Sequence, residues 1–253
     1  MSYTYEEFVD IVRRLRRECP WDRDQTHDSI RQNLIEEAYE VVEAIDNGDM
    51  DELKKELGDL LLHVVFHSAI AEESGEFTLD EVVSLITEKL IRRHPHVFGD
   101  TVVNGQDEVI RNWERIKLDE GRESVLDGIP SALPALVRAL RLQQKASKVG
   151  FDWEKKEDCW KKVEEELQEF KSAAKQNNND KETTNELGDL LFSIVNYARF
   201  LNINPEDALR KTNEKFLKRF QIIEKKLKEQ GKDINETSLE EMDSIWDKSK
   251  EDE

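Results

Sequence analysis

Apolar residues recur at helical spacing in two matching regions of the chain. In each region two successive stripes advance by three or four residues, which is the period of an amphipathic α-helix rather than the alternation of a strand. The first stripe comprises Leu34, Ala38, Val41 and Ile45, and its later match comprises Val163, Leu167, Phe170 and Ala174. The second comprises Leu57, Leu60, Leu61, Val64 and Val65, matched by Leu187, Leu190, Leu191, Ile194 and Val195. The pattern therefore predicts a pair of helices in each region and no strand.

These matches belong to an internal duplication. The segments ELGDLLLHVV, which begins at Glu56, and ELGDLLFSIV, which begins at Glu186, are identical at seven of ten positions. The offset between matched blocks changes only where loops are expected, as in duplicated domains that have diverged. We predict an all-α fold of two tandem helical-bundle domains. The predicted bounds are 1–120 for the N-terminal repeat, 121–130 for a linker and 131–253 for the C-terminal repeat.

Further helices are expected on both sides of each helix pair. They are predicted at about 5–18, 80–93, 132–148 and 205–230. Polar connections at 47–49 and 177–180 separate the helices of each pair, and connections this short make neighbouring helices antiparallel. Each repeat should therefore contain at least four helices.

The chain is strongly acidic, with 57 Asp and Glu against 38 Lys and Arg and a formal net charge of -19. A nucleic-acid polymer is therefore not an expected partner, because binding its phosphate backbone needs a basic face. A small polyanion can still bind where a metal ion and a few cations reverse the local field. The sequence shows no CxxC pattern, no signal peptide and no apolar run long enough for a membrane span. We expect a cytoplasmic protein with no membrane partner.

The clearest chemical signal is an acidic motif, EExxE followed by ExxD on the next helix, which occurs in both repeats. Carboxylates three residues apart share a helix face, and antiparallel pairing of two such helices can bring four of them together. Four close anions beside an apolar core repel one another unless a cation lies among them. A site made only of oxygen ligands favours Mg²⁺, with Mn²⁺ as a substitute. The predicted metal ligands are Glu166, Glu169, Glu186 and Asp189 in the C-terminal repeat, and Glu37, Glu40, Glu56 and Asp59 in the N-terminal repeat.

The acidic motif on paired helices resembles that of the all-α nucleoside triphosphate pyrophosphohydrolase superfamily. The phrases CPWDRDQTHDSI, LIEEAYEVVEAI, ELGDLLLHVVFH, KLIRRHPHVFGD and KVGFDW specifically resemble the MazG family, whose members carry two tandem domains. The resemblance covers nearly the full chain. It implies hydrolysis of nucleoside triphosphates to monophosphate and diphosphate, broad base specificity, clearance of aberrant or surplus nucleotides, and a homodimer.

The resemblance also assigns substrate contacts. It implies phosphate-binding roles for Lys162, Lys215 and Arg219, and a polar contact from Asn213. A solvated basic face is the alternative for each cation taken alone. Trp153 is a candidate for stacking on a base, although a core or interface position suits it equally well. The corresponding N-terminal candidates are Lys89 and Arg93, but Asn33 replaces Lys162 and Thr87 replaces Asn213.

We therefore expect the C-terminal repeat to be the main catalytic domain, with Glu165, Glu166 and Glu169 as its catalytic residues. The N-terminal repeat would bind nucleotide more weakly or serve in assembly. In the expected reaction Mg²⁺ bridges phosphate oxygens and activates a water that attacks the α-phosphorus. A nearby carboxylate, with Glu165 as the candidate, accepts the proton of that water. Glu165 is turned by about 100° from Glu166 around the helix, which leaves its reach open.

Two other function classes fit parts of the sequence. The first is a helical interaction protein without enzymatic activity, in which the carboxylates are ordinary surface charge. The second is a carboxylate-bridged di-iron bundle, which requires a Glu-x-x-His motif on paired helices that neither repeat has in register. His63 and His67 lie one turn apart near Asp59, but Ser193 and Tyr197 replace them, so a helix-face or core position is favoured. His94 and His96 flank Pro95, and we expect them to be structural.

Overall fold

The computed structural model describes residues 2–120, 124–175 and 180–251, and within these ranges all regular secondary structure is helical. The first seven helices are α1 (Tyr5–Glu18), α2 (Pro20–Arg23), α3 (His27–Asn47), α4 (Met50–Ser74), α5 (Leu79–Arg93), α6 (Pro95–Phe98) and α7 (Gln106–Asp119). The later ones are α8 (Ala135–Ser147), α9 (Lys156–Lys175), α10 (Asp180–Phe200), α11 (Pro205–Glu229), a 3₁₀ turn (Ile234–Glu236) and α12 (Leu239–Glu251). The predicted all-α fold with two tandem domains is confirmed.

The chain forms two compact units, Met1–Trp113 and Glu114–Glu253, and the division falls within α7. The predicted linker 121–130 begins with residues 121–123, which lie outside the described part of the chain, so the predicted domain bounds stay a prediction. The connection at 177–180 likewise falls mainly on residues that are not described. Each unit contains one of the predicted helix pairs, α3 with α4 and α9 with α10.

Local sequence signals define the helix ends of the N-terminal unit. The hydroxyls of Thr4 and Thr78 cap α1 and α5, and each helix completes a capping box with a glutamate three residues later. α3 ends at Gly48, whose φ of +66° lies in the left-handed region that glycine adopts without strain. Asp49 then caps the start of α4. A two-residue connection thus reverses the chain, and the two acidic helices run antiparallel.

Each unit has its own apolar core. In the N-terminal unit α1, α3, α4 and the start of α5 contribute Val9, Val12, Ile30, Val65, Phe66 and Leu79. In the C-terminal unit α11 and α12 pack through Ile223, Leu227 and Ile245, with Trp246 at the edge. α8 packs against both α10 and α11, so the acidic helix α10 rests on a scaffold of two others.

The apolar stripes predicted from the sequence are only partly buried. Val65, Leu190 and Val195 lie in the interior. Six members of the second stripe keep more than two fifths of their surface exposed, and they form matching rows on α4 and α10. The rows comprise Leu57, Leu61 and Val64, and their counterparts Leu187, Leu191 and Ile194. We call these two sets the apolar rows.

Candidate metal and nucleotide site

Antiparallel pairing brings the predicted carboxylates of the N-terminal repeat together. Glu37 and Asp59 lie at equal sequence distances on either side of Gly48, as do Glu40 and Glu56, so the two helices present them at matching heights. Carboxylate oxygens of Glu37, Glu56 and Asp59 all lie within 4.8 Å of one another. Glu56 is buried, with 7% of its surface exposed, whereas Asp59 is exposed. Three of the four predicted ligands therefore converge.

The C-terminal repeat contains the equivalent group. Oxygens of Glu166, Glu186 and Asp189 lie within 4.8 Å of one another across α9 and α10. Glu166 is 7% exposed, Glu186 is partly buried and Asp189 is exposed. We call these two sets the N-terminal and C-terminal acidic groups. Their recurrence at matched positions means that the duplicated sequence encodes the same local geometry twice.

The fourth predicted ligand of each repeat borders its acidic group. Burial, followed by the charges of Glu166 and Glu186, raises the pKa of Glu169 above the ordinary glutamate value. In the N-terminal repeat Glu40 hydrogen-bonds to both Glu37 and Glu56 and raises the pKa of each. Both residues thus lie close enough to feel the charge of their neighbours, as expected for members of one carboxylate cluster.

The N-terminal acidic group contains two glutamates whose pKa lies above the ordinary value. Burial of Glu56 raises its pKa to about 7, and hydrogen bonds with Glu52 and Glu40 add to the effect. Burial likewise raises the pKa of Glu37, with further contributions from Glu40 and Asp59. A cavity of about 280 Å³ opens beside Glu40 and Glu56 and is lined mainly by acidic side chains. Local negative charge is therefore concentrated here.

A lysine lies beside the C-terminal acidic group. The Nζ atom of Lys162 is 2.8 Å from Oε1 of Glu165 and 2.7 Å from Oε1 of Glu166. These two bonds raise the pKa of Lys162, so its ammonium group stays charged. Glu165 itself is outside the group of three and is mostly exposed. Lys162 therefore lies at the edge of the C-terminal acidic group, while its predicted role toward phosphate stays a prediction.

The other predicted phosphate-binding residues lie on α5 and α11. Asn213 and Lys215 are exposed, and Lys89 is partly buried. The guanidinium group of Arg219 lies 5.4 Å from the ring centre of Trp246, and that of Arg93 lies 5.7 Å from Trp113. The sequence analysis assigned no role to these two tryptophans, each of which is followed by a lysine four residues later. They orient both arginines through cation–π contact.

Trp153 lines a cavity of the C-terminal unit, which has a volume of about 590 Å³. Aromatic and amide side chains surround it, among them Gln143, Phe151, Phe192 and Asn196. Arg199 forms a two-pronged ion pair with Asp152 and holds the Trp153 loop against α10. Sequence reasoning identified Trp153 as a stacking candidate but missed Gln143 and Phe192, which come from two other helices.

The N-terminal histidines form a small stacked cluster. The rings of His27 and His67 are parallel, with centroids 5.1 Å apart, and their Nδ1 atoms are 2.7 Å apart. Burial lowers the pKa of both His63 and His67. Each is partly buried, in agreement with the predicted helix-face or core position. His94 ends α5 and contacts Trp113 edge-on, consistent with a structural role.

Among the described residues, the helices are too short or too polar to cross a membrane. A family model for the MazG nucleotide pyrophosphohydrolase domain matches residues 25–98 and again residues 154–222. Both matches include an acidic group described above, and each covers one helix pair. The duplication seen in the sequence is therefore a duplication of this family domain.

Three relatives match nearly the whole of this chain. The chain is 47% identical over 251 residues to the nucleoside triphosphate pyrophosphohydrolase/pyrophosphatase MazG of Thermotoga maritima, covering 97% of this chain and 95% of that protein. It is 42% identical over 253 residues to the nucleoside triphosphate pyrophosphohydrolase of Escherichia coli, covering 97% and 96%. It is 48% identical over 256 residues to the uncharacterized protein YabN of Bacillus subtilis, covering 99% of this chain and 52% of that protein. With two domain matches and this full-length similarity, the chain belongs to the MazG nucleotide pyrophosphohydrolase family.

Proposed function

We propose that this protein hydrolyses nucleoside triphosphates to nucleoside monophosphates and diphosphate, accepts many bases, and thereby clears aberrant or surplus nucleotides. The observation that carries the proposal is the C-terminal acidic group, in which Glu166, Glu186 and Asp189 converge beside Lys162. The names of the relatives from Thermotoga maritima and Escherichia coli, both nucleoside triphosphate pyrophosphohydrolases, support the same reaction.

The acidic groups fit a hard divalent cation. Their ligand atoms are carboxylate oxygens, and Mg²⁺ and Mn²⁺ prefer such ligands over softer donors. Burial raises the pKa of Glu56, Glu37 and Glu169, and the charges of neighbouring carboxylates add to the rise, so a cation bound among them would offset this repulsion. We propose Glu166, Glu169, Glu186 and Asp189 as ligands of Mg²⁺, and Glu37, Glu40, Glu56 and Asp59 as the N-terminal equivalents. A bound ion would supply Lewis-acid polarisation of phosphate oxygens and of water.

The cations around the C-terminal acidic group would bind the triphosphate. In the proposed reaction a water molecule attacks the α-phosphorus, and diphosphate departs on the opposite side. Lys162, Lys215 and Arg219 would stabilise the charge that develops on the leaving diphosphate, and Asn213 would donate to a phosphate oxygen. Contact with Trp246 supports this role for Arg219, because it orients the planar guanidinium group.

The contact between Lys162 and Glu165 couples substrate binding to proton transfer. Lys162 bonds to Glu165 and to Glu166 at the same time. When phosphate oxygens attract the ammonium group, Glu165 loses its cationic partner, and its carboxylate is available to bind the attacking water. We propose that Glu165 then accepts the proton of the attacking water. An exposed carboxylate next to the acidic group suits this task, because its released proton can pass to solvent.

The N-terminal repeat would contribute less to turnover. It retains Lys89 and Arg93, but it has Asn33 at the position of Lys162. In its acidic group, burial and neighbouring carboxyls raise the pKa of Glu56 to about 7 and also raise the pKa of Glu37. We propose that this repeat binds nucleotide more weakly and serves mainly in assembly.

The apolar rows support a homodimer. Leu57, Leu61 and Val64 lie at helical spacing on one face, and the equivalent residues of α10 do the same. Rows of exposed aliphatic side chains at this spacing suit packing against another helix. Sedimentation of the purified protein should show a dimer, and Leu61→Glu with Leu191→Glu should shift it to monomer. A monomeric parent protein would contradict the assembly proposal.

Product identification tests the reaction. The protein is incubated with each of the four common nucleoside triphosphates and Mg²⁺, and the products are separated and identified. We expect monophosphate and diphosphate in equal amounts from every nucleotide, and activity should disappear with a chelator. Release of orthophosphate with nucleoside diphosphate would contradict cleavage between the α- and β-phosphates.

A further inference from the structure

A histidine pair joins the first residue of α3 to the middle of α4. His27 begins α3 and is exposed, whereas His67 lies on α4 and is partly buried. Their ring planes are parallel to within 2°, and their Nδ1 atoms are 2.7 Å apart. The ring centroids are 5.1 Å apart, which exceeds the Nδ1–Nδ1 distance by about two ring radii, so the rings share one plane and meet through these nitrogens. This is the geometry of a direct hydrogen bond between two imidazoles.

The bond between the two rings requires a single proton between the facing nitrogens. A neutral imidazole has one N–H donor and one bare nitrogen, whereas a protonated imidazole has two donors. The pair can take up a first extra proton and keep the bond, because one ring still offers a bare Nδ1. A second proton gives both rings an N–H at Nδ1, and two donors then face each other. The bond between His27 and His67 is lost at that step.

The surroundings of His67 oppose the second proton. Burial, followed by the charges of His27 and His63, lowers the pKa of His67. Asp59 acts on His63, one turn earlier on α4, but no described carboxylate is among the charges that act on His67. Once the rings separate, His67 gains access to water, and its pKa returns toward the ordinary histidine value of about 6.5. The opened state therefore binds more protons than the closed state, and opening becomes more favourable as the pH falls below that value.

The charged residues of the neighbouring helices form ion pairs of their own. The pairs are Asp28–Arg31 on α3, and Arg13–Glu72 and Arg16–Glu73 between α1 and α4. Where the start of α5 packs on α4, Glu72 also accepts a hydrogen bond from the backbone N–H of Leu79. Arg16 in addition donates to the backbone carbonyl of Gln25 at 3.0 Å, just before α3. The segment that leads into α3 therefore has an anchor that does not depend on the histidines.

We propose that the His27–His67 bond is a pH-sensitive latch, which holds the first turn of α3 on α4 near neutral pH and opens more readily on acidification. The C-terminal repeat has Tyr197 at the position of His67, so the latch belongs to the N-terminal repeat. Glu37 and Glu40 lie farther along α3, so opening would loosen the start of a helix that carries two of the N-terminal acidic residues. The inference is independent of the proposed function, because both histidines are outside the proposed set of metal and nucleotide ligands.

Hydrogen–deuterium exchange of the parent protein tests the latch. Backbone amides 30–34, in the first two turns of α3, are compared at pH 7.5 and pH 5.5 after correction for the intrinsic pH dependence of exchange. We expect protection about tenfold lower at pH 5.5, since one additional proton favours opening by that factor one pH unit below the ordinary histidine pKa. The equivalent start of α9 is the internal control and should keep its protection. A local measurement is needed because Glu56, with a pKa of about 7, changes the overall stability with pH in the opposite direction.

Two substitutions locate the effect. His27→Ala removes the exposed member of the pair, and α3 should then show low protection at both pH values. His96→Ala is the matched control, because His96 belongs to α6 of the same unit and has no part in the pair. It should keep the pH response of the parent protein. A pH response that persists in His27→Ala would overturn the proposal.

Nuclear magnetic resonance of the parent protein, with nitrogen-15-labelled histidine, tests the pair without a substitution. At pH 7.5 we expect one protonated and one bare Nδ1 in the pair. Bare Nδ1 atoms in both rings at pH 7.5, or equal protection of α3 at the two pH values, would contradict the latch. Because these measurements use no nucleotide, a failure to hydrolyse triphosphates would count against the proposed function alone.

Discussion

The two repeats build the same acidic group and balance its charge in different ways. In the C-terminal repeat the ammonium group of Lys162 contacts Glu166 directly. In the N-terminal repeat Asn33 occupies that position, and burial together with neighbouring carboxyls holds a proton on Glu56 near neutral pH. The same arrangement of carboxylates thus occurs twice in one chain with two different ways of balancing its negative charge. Lys162 in one repeat and Asn33 in the other are the residues that differ one helical turn before the first ligand.

This difference bears on which repeat binds a triphosphate. A polyanion and a divalent cation must enter together, and a lysine at the edge of the group offers the phosphates a partner. The N-terminal repeat offers only a neutral amide there. We therefore expect most of the turnover to take place in the C-terminal repeat. Variants at equivalent positions of the two repeats test this expectation.

The largest effect is expected from removing one acidic residue from each repeat. Glu169→Ala should lower kcat on the order of 10³-fold, because it removes a proposed metal ligand from the catalytic group. Glu40→Ala, its N-terminal counterpart, should change kcat by less than about twofold if that repeat serves assembly. Steady-state kinetics with ATP and Mg²⁺ measure both. Equal losses in the two variants would show that both repeats are catalytic.

Replacing the proposed proton acceptor should have the next largest effect. Glu165→Gln preserves shape but cannot accept a proton at neutral pH, so kcat should fall on the order of 10²-fold with little change in KM. The equivalent Glu36→Gln should leave kcat unchanged. Separate measurement of kcat and KM distinguishes a lost base from lost binding, since loss of the base alone lowers kcat and leaves KM unchanged. Wild-type kcat in this variant would remove Glu165 from the mechanism.

Exchanging the residue that distinguishes the repeats should have a moderate effect. Lys162→Asn gives the C-terminal group the N-terminal charge balance, and kcat/KM should fall by about tenfold as a phosphate contact is lost. Asn33→Lys, made in the Glu169→Ala background, should tighten nucleotide binding to the N-terminal repeat, measured by calorimetry. Unchanged affinity would mean that the absence of this lysine is not the reason why the N-terminal repeat binds nucleotide weakly.

The smallest expected effect concerns stability and pH. The pKa of Glu56 is about 7 in the folded protein against an ordinary value near 4.5, so the folded state binds the proton more tightly. The resulting stabilisation is fully present below pH 4.5 and is lost as the pH rises to 7. Glu56→Gln should therefore raise the melting temperature at pH 8 by a few degrees and reduce its pH dependence. Saturating Mg²⁺ should stabilise the parent protein at pH 8 and not Glu56→Gln. A lower melting temperature of Glu56→Gln at pH 8 would contradict the raised pKa.

The acidic groups could be predicted from sequence because their geometry is local. Helical period sets which carboxylates share a face, a two-residue connection forces the antiparallel turn, and the duplication repeats the pattern. The placement of Lys162 beside Glu166 follows from the same period, since the two are four residues apart. These features depend on neighbours along the chain or across one tight turn.

Other features depend on packing between distant segments. Gln143 meets Phe192 because α8 packs against α10, and no periodic pattern predicts which side of α8 does so. The Arg219–Trp246 contact likewise joins α11 to α12. Periodicity also could not separate Val65, which is buried, from Leu61, which stays exposed on the same helix. An apolar side chain in such a pattern is expected to be buried. The sequence does not specify whether residues of the same chain or of a partner chain bury it.

The apolar rows have a consequence for how the protein behaves on dilution. If a second chain covers Leu57, Leu61 and their C-terminal equivalents, part of the burial that stabilises α4 and α10 comes from association. The acidic groups lie on these same helices, so the geometry of the carboxylates would loosen as the subunits separate. Specific activity per chain should then decline at low protein concentration, and enzyme abundance in the cell would itself adjust how well each active site is formed.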